Sequence, residues 1–367
     1  GRPSAVCHEN PFCLHIAFCF LLMLSTSDMI HLPYTPDLTE GGIAYACRSL
    51  AYTYDRMGGS PLDRLRRIVG GVAVELAFRR YLSGQSIPFD VMGATPFTDP
   101  DRYDDSLGGH SCDMKSFLVT RRRQISLVRQ NPALVLQAPA LVPLDQFAAE
   151  GHTARDLYLF AFLLALTTPS QEDLQRAIIA RQSLYLIHPL PEDWARPKLW
   201  LPLEKLALKS ECEQPIIIEI GGQDAERNFV TATLELPTKQ RVAVEQAFCS
   251  LAYIHARRRP EVRIGIHSPM RGEPYLVQPH EWGNIWVYGL SILLTGYLTH
   301  EEFRRRASLL PVGSRVFQYA RTRTKNLSVP ITELQPLGNL FERVREWEAG
   351  KLCSAPAESG RAANVER

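Results

Sequence analysis

The chain has 367 residues, enough for one large domain or two of ordinary size, with 45% hydrophobic and 22% charged residues. These fractions are typical of a globular protein and exclude wholesale disorder. Lys and Arg number 41 against 39 Asp and Glu, a formal net charge of +2. The overall charge therefore does not indicate a nucleic-acid partner, and any basic surface has to be local.

The eight cysteines are scattered along the chain, without a C-x-x-C pair or a matching histidine spacing. This distribution argues against a zinc finger and against a disulfide-stapled scaffold. It predicts a protein of a reducing compartment, and we expect a cytoplasmic location.

An apolar stretch from Pro11 to Leu24 lies near the start of the sequence. It is shorter than the roughly 20 residues that a membrane-spanning helix needs. It resembles the apolar part of a signal peptide, but Arg2 is the one basic residue before it and no small-x-small cleavage site follows. We therefore expect residues 1–28 to be a non-native or disordered apolar leader, with Met29 as the natural start and no membrane partner.

Two helices are predicted next, the first over residues 39–55. Ser60 and Pro61 then have the residue types of an N-cap and a first helical turn. Apolar residues follow at steps of three and four, the spacing of a helix that packs on a sheet: Leu62, Leu65, Val69, Val72 and Leu76. Glu75 lies beside this apolar stripe.

The pattern then changes to strands, predicted over 87–92, 102–107 and 110–119. Gly108 and Gly109 form a two-residue hairpin loop between the last two strands, and this loop fixes their register. Directly opposed residues and alternate residues along a strand share a face. The polar face is predicted to hold Asp104, Ser106, Ser111, Asp113 and Lys115. The apolar face is predicted to hold Leu107, Cys112 and Met114, with Asp105 turned toward it.

The rest of the chain supplies further predicted elements. They are a basic helix (120–130), two buried runs (140–147 and 156–166, the second a strand or a helix), a helix (171–181), a β-rich segment (215–268), strands (284–294, 315–319 and 327–330) and helices (299–309 and 337–347).

Asp104 opposite Asp113 places two negative charges within a few ångströms, which is unfavourable unless a cation or a proton lies between them. Carboxylates that leave sites for water and phosphate are suitable ligands for Mg²⁺. A lysine on the same face, here Lys115, can orient a water molecule and stabilise developing negative charge. The pattern is compatible with phosphodiester hydrolysis. It is also compatible with a surface hairpin in which Asp104 and Lys115 form an ion pair.

The order of a helix with Glu75, a strand with Asp104, and a strand with Asp113-x-Lys115 resembles the PD-(D/E)XK nuclease superfamily, whose fold is that of restriction endonucleases. The resemblance implies that Glu75, Asp104 and Asp113 bind Mg²⁺, that Mn²⁺ can substitute, and that Lys115 positions the water. Some branches use a glutamine on the following helix, which Gln124 matches. Tyr103 stands where many members have a proline, which leaves Asp105 as a rival for the first acid.

The implied fold is an α/β restriction-endonuclease-like core, a mixed central sheet flanked by helices, with an inserted β-rich module. The predicted core comprises residues 29–182 and 280–348, the module 183–279, and a disordered tail 349–367. DNA contacts are predicted for two basic segments: Arg121, Arg122, Arg123 and Gln124, and the alternating Arg321, Arg323 and Lys325.

The implied function is a metal-dependent endonuclease acting on DNA, in defence against foreign DNA, mobile-element processing or repair. The biological setting rests on analogy with the family alone, because a shared fold does not determine function. The alternatives are a non-catalytic subunit of the same fold that binds nucleic acid or protein, and an RNA nuclease. A homodimer, or a partner protein bound through the β-rich module, is also possible.

Overall fold

The computed structural model describes residues 23–53, 60–91 and 105–354. The helices of this part of the chain are α1 (Pro36–Thr53), α2 (Pro61–Gly84), α3 (Arg122–Gln130), α4 (Leu144–Phe147), α5 (Gln171–Ile179), α6 (Glu192–Ala195), α7 (His300–Arg306) and α8 (Leu337–Ser354). The strands are β1 (Ile30–Pro33), β2 (Asp90–Val91), β3 (Asp105–Leu107), β4 (His110–Val119), β5 (Pro139–Pro143), β6 (Leu157–Leu166), β7 (Leu186–Pro189), β8 (Ala207–Ser210), β9 (Ile216–Gln223), β10 (Phe229–Leu236), β11 (Arg241–Ala243), β12 (Ser250–Ala256), β13 (Ile264–His267), β14 (Tyr275–Val277), β15 (Gly283–Asn284), β16 (Tyr288–Thr299), β17 (Ser308–Leu310), β18 (Asn326–Pro330) and β19 (Gln335–Pro336).

The central sheet is 7-stranded, with the order β1-β16-β6-β4-β3-β2 and with β19 paired to β16. Strands β4 and β6 run parallel, and the other neighbours are antiparallel. Val69 and Ala73 of α2 pack on one face of the sheet, and Ile125 and Val128 of α3 pack on the other. The chain is therefore a mixed α/β protein with helices on both faces of a mixed sheet, as the sequence predicts.

Helix α2 begins as predicted. The Ser60 hydroxyl accepts a hydrogen bond from the Asp63 amide at 3.2 Å, and Pro61 occupies the first helical turn. Helix α1 crosses α2 at very short range, because a Cβ atom built on Gly42 would lie 2.5 Å from the carbonyl oxygen of Val69. The glycine at position 42 is what allows the two backbones to approach.

A second apolar core covers the α3 face of the central sheet. It contains β5 and β18 of a 3-stranded sheet, ordered β17-β18-β5, together with Phe303 of α7. Leu24 and Met29 are buried in this core, and the Leu24 amide donates to the carbonyl of Thr332. The predicted leader boundary at residue 28 therefore falls inside the packed chain, since Leu24 belongs to the core.

The β-rich module consists of a 5-stranded sheet, β10-β9-β12-β7-β15, and a 4-stranded sheet, β11-β8-β13-β14. Strand β15 lies beyond the predicted end of the module at residue 279. The two sheets enclose a third apolar core that includes Trp282 and Phe248. Tyr185 and Tyr253 of the module instead join the core formed by α1 and α2. The module is thus joined to the α/β part by packed side chains as well as by its connecting segments.

Several predicted elements differ from the observed ones. The apolar run 140–147 is divided, because β5 ends at Pro143 and the next residues form α4. The segment 315–319, predicted as a strand, is a loop closed by a hydrogen bond from the Val316 amide to the Tyr319 carbonyl. Helix α8 continues to Ser354, beyond its predicted end at Trp347.

Within the described residues, no helix is long and apolar enough to cross a membrane.

Candidate functional site

The hairpin of β3 and β4 has the predicted register. Asp105 is opposite Cys112, Ser106 is opposite Ser111, and Leu107 is opposite His110. Gly108 and Gly109 have φ angles of +56° and +75°, values that favour glycine in a two-residue turn. Asp104, the predicted partner of Asp113, lies outside the described residues.

The two faces of β4 differ as predicted. Cys112 and Met114 are buried in the core that contains α2. Asp113 and Lys115 lie on the opposite face, which continues into the second core at Phe117. The Asp113 and Lys115 side chains are each 14% exposed, so they lie in a recess and not on an open surface.

Lys115 is the centre of a small polar network. Its Nζ atom lies 2.6 Å from Asp113 Oδ2 and donates a hydrogen bond to Gln146 Oε1 at 2.8 Å. Gln146 is in the short helix α4. The network holds a lysine ammonium and a carboxylate side by side on β4, next to the exposed Gln146.

The glutamine that reaches Lys115 is thus Gln146, whereas Gln124 has a different partner. The Gln124 side-chain amide donates to the carbonyl of Phe317 at 2.5 Å, and its Oε1 atom is buried without a hydrogen-bond partner in the described chain. Gln124 therefore fixes the loop after β17 to helix α3. No sequence pattern predicts Gln146 as part of the site, because it comes from α4 and not from the hairpin or the helix that follows it.

Glu75 is carried by the helix on the other side of the sheet. It is partly buried in α2, which packs on the face of β4 opposite Asp113 and Lys115. A Cβ atom on Gly71, one helical turn before Glu75, would lie 3.6 Å from the Ser116 hydroxyl. Ser116 faces α2, so the sheet separates the Glu75 backbone from the Asp113–Lys115 pair.

Asp105 also belongs to the α2 side. It is 2% exposed, and its Oδ1 atom accepts a hydrogen bond from Arg79 Nε at 2.8 Å. Burial raises the pKa of the Asp105 carboxyl, and the nearby Arg79 guanidinium opposes that rise. Across the ranges 23–53, 60–91 and 105–354, no three His, Cys, Asp or Glu side chains are grouped so that they could hold a metal ion.

Two histidines that the sequence does not single out lie beside the Asp113–Lys115 pair. Tyr158 of β6 is the register partner of Asp113, and its hydroxyl is 3.1 Å from His300 Nδ1. The His300 ring stacks on Phe147 at a centroid distance of 4.3 Å and on His152 at 5.0 Å.

His152 connects this group to the lysine network. One ring nitrogen of His152 lies 3.0 Å from the carbonyl oxygen of Gln146, the residue that accepts from Lys115. Burial lowers the pKa of His300, and His152 lowers it further, so the neutral imidazole is favoured. The stacked rings lie in nearly parallel planes, 18° apart, and their nitrogens therefore do not converge on one ion.

The predicted basic segments meet at the far end of β4. Arg121 and Gln124 both donate to the carbonyl of Phe317, which places the loop that leads to Arg321 beside the start of α3. The half-buried Arg67 of α2 lies near Arg323: burial lowers the pKa of its guanidinium, and the positive charge of Arg323 lowers it further. The residues of this basic surface that are exposed are Arg121, Arg122, Arg123, Arg321, Arg323 and Lys325.

No protein-family model, curated protein or solved structure matches this chain.

Proposed function

We propose that the chain is a metal-dependent nuclease of the PD-(D/E)XK type that hydrolyses DNA phosphodiester bonds. The observation that carries this proposal is the Asp113–Lys115 pair, which is held in a recess at the hairpin with a 2.6 Å contact. A carboxylate and a lysine at this spacing on the second strand of a β-hairpin are the residues that the superfamily's motif requires.

The order of elements agrees with the proposed family. Helix α2 is followed by the meander β2-β3-β4 and by α3. Strand β5, which belongs to the 3-stranded sheet, and helix α4 then precede β6, which pairs parallel to β4. Helices α2 and α3 lie on opposite faces of this sheet. With β5 and α4 left aside, this is the order of a restriction-endonuclease-like core, which has a helix, a three-stranded meander, a helix and a strand.

The metal would be Mg²⁺ or Mn²⁺, and it would supply an activated water and neutralise charge on the phosphate. Asp113 is the carboxylate that the described residues offer to it on the Lys115 side of β4, and Asp104 is the predicted second ligand. These described residues alone do not make up a metal site. The Lys115 ammonium, held by Gln146, would stabilise the negative charge that builds up on the phosphate.

The basic surface would bind the DNA backbone. The guanidinium groups of Arg122, Arg123 and Arg321 are exposed and form no ion pair with a carboxylate of the described chain. Backbone phosphates are bound by such unpaired cations. Lys325 extends this surface toward the candidate site, because its carbonyl accepts from the amide of Leu144, two residues before Gln146.

The proposal is tested by incubating the protein with plasmid DNA and with RNA in Mg²⁺, in Mn²⁺ and in EDTA. We expect metal-dependent DNA cleavage that falls by at least about 100-fold in Asp113→Asn and in Lys115→Met, because each removes a group that stabilises the transition state. Asp145→Asn, which removes an exposed carboxylate of α4, is the matched control and should cleave normally.

Three outcomes would contradict parts of the proposal. Undiminished cleavage by both site variants would remove Asp113 and Lys115 from the site. DNA binding without cleavage in any metal would favour a non-catalytic member of the same fold. Cleavage of RNA alone would make the chain an RNA nuclease. A homodimer, a partner protein on the β-rich module, a role in defence or mobile-element processing, and a cytoplasmic location stay predictions.

A further inference from the structure

The 4-stranded sheet of the β-rich module has one buried face and one exposed face. Leu208 and Ile266 face the third core. Lys209 and Arg241 are opposite each other in neighbouring strands, and His267 follows two residues after Gly265, the other neighbour of Lys209. Because register partners and alternate residues share a face, the three side chains lie together on the exposed side. We call this exposed side, with Lys205 at its end, the basic sheet face.

The His267 ring lies across the sheet above Gly265. A Cβ atom on Gly265 would be 3.1 Å from His267 Nε2, so the missing side chain leaves room for the ring. Arg241 Nη2 lies 3.3 Å from His267 Nδ1. An arginine can donate but not accept, so Nδ1 is the acceptor and the ring proton is on Nε2. His267 therefore presents an N–H donor over the sheet.

The cations of the basic sheet face are not neutralised by the protein. Lys205, Lys209 and Arg241 form no ion pair with any carboxylate of the described chain. Glu211, the acid whose pKa Lys209 influences, already accepts hydrogen bonds from Nε and Nη2 of Arg263 at 2.9 and 3.0 Å. Like charges so close together repel, and a bound anion would relieve that repulsion.

A cavity of about 310 Å³ opens at this face. Lys205, Arg241, His267 and Ser268 line it, with Glu273 as an acidic neighbour. Arg271 closes one side, where its guanidinium is fixed by Asp193 and stacks over Trp194. The cavity therefore combines lysine and arginine cations with an imidazole N–H donor and a hydroxyl, the donors that bind phosphate oxygens.

We propose that the basic sheet face of the module binds a phosphate group, supplied either by a nucleic-acid strand or by a free nucleotide. Lys205 and Arg241 supply charge at the cavity, Lys209 adds positive charge beside Arg241, and His267 supplies a hydrogen-bond donor. This site is separate from the Asp113–Lys115 recess and from the basic surface of α3. It does not depend on the proposed hydrolysis, because binding is measured without cleavage.

The experiment is fluorescence anisotropy in EDTA with two labelled probes, a single-stranded oligodeoxynucleotide and a nucleoside diphosphate. We expect the double variant Lys205→Gln, Arg241→Gln to bind the true ligand at least about tenfold more weakly, because two charge-assisted contacts at the cavity are lost. For the oligonucleotide, the slope of log K against log salt should fall by about 0.7 for each phosphate contact removed.

The control is Arg258→Gln, Arg259→Gln, which removes the same charge from a turn of the same module away from this cavity. If the double variant of the cavity residues binds the oligonucleotide more weakly than the wild type does, the ligand is a nucleic-acid strand. If it binds the nucleoside diphosphate more weakly, the ligand is a free nucleotide. The proposal is overturned if the wild-type protein binds neither probe, or if both double variants bind alike. Thermal unfolding of each variant confirms that it is folded.

Discussion

At the scale of single residues, Asp105 shows how the hairpin tolerates a buried charge. Its carboxylate is 2% exposed and lies among the apolar side chains under α2. The Arg79 guanidinium, 2.8 Å away, stabilises the charged form of the Asp105 carboxyl. A buried carboxylate that loses its partner is costly, because neither water nor another cation replaces the lost interaction.

We therefore expect Arg79→Met to lower the free energy of unfolding by about 3 kcal/mol at neutral pH. Arg79→Met combined with Asp105→Asn should recover part of this loss, since the second change removes the unpaired charge. Chemical denaturation of the two single variants and the double variant gives the coupling energy. Equal stability of wild type and Arg79→Met would show that the ion pair contributes little.

At the scale of helices and strands, the crossing of α1 and α2 depends on one glycine. The carbonyl oxygen of Val69 lies where a side chain at position 42 would begin. Backbone atoms cannot move aside as a flexible side chain can, so the helices would have to separate. That separation would loosen the packing of Leu38 and Ile43 in the core.

Gly42→Ala should accordingly destabilise the protein by about 1–3 kcal/mol, the range for overpacking. Gly84→Ala is the control, because a Cβ atom on Gly84 at the end of α2 would meet no heavy atom within 4 Å beyond its chain neighbours and its own helix backbone. The alanine's better helix propensity should leave stability unchanged or raise it by up to about 1 kcal/mol. Thermal unfolding measures the stability of both variants. Equal effects of the two substitutions would argue against a close helix crossing.

The local elements near the hairpin are predictable because their signals are short-range. The Gly108–Gly109 turn sets the register of β3 and β4, and Ser60 marks the start of α2. The run 140–147 is not predictable in the same way, since its apolar residues continue past Pro143 although the strand does not. The segment 315–319 has strand-forming residues, yet the Val316 amide bonds to the Tyr319 carbonyl and the Phe317 carbonyl accepts from the Gln124 side chain of α3.

At the scale of the whole molecule, the candidate site combines residues that are far apart in the sequence. His152 and His300 stack on each other, and neither has a spacing that indicates a site. The way α2 packs on the sheet likewise decides which face of β4 Glu75 lies on. Hydrophobic periodicity predicts the helix but not the sheet face that it covers. The sequence thus predicts the Asp113–Lys115 pair but neither its histidine neighbours nor the side on which Glu75 lies.

The module and the α/β part meet at a buried histidine. His255 of β12 is 4% exposed, and neither of its ring nitrogens has a hydrogen-bond partner in the described chain. Its ring stacks on Tyr185 at 3.5 Å, and Nδ1 lies 3.8 Å from Glu219, whose carboxylate accepts from the Tyr253 hydroxyl. Burial, with a smaller contribution from Arg257, lowers the pKa of His255 to about 3.

This histidine should make the whole fold sensitive to mild acid. Its pKa in the unfolded chain is about 6.5, so between about pH 6.5 and 3 the unfolded state binds a proton that the folded state does not. Stability therefore falls as the pH falls through this window, by up to about 1.4 kcal/mol per pH unit from this group. His255→Phe keeps an aromatic ring on Tyr185 and removes the proton uptake, so its stability should fall less between pH 7 and 5. Urea unfolding at several pH values measures the difference, with the exposed His280→Phe as the control. Parallel curves for wild type and His255→Phe would mean that His255 takes up its proton in the folded state as readily as in the unfolded chain.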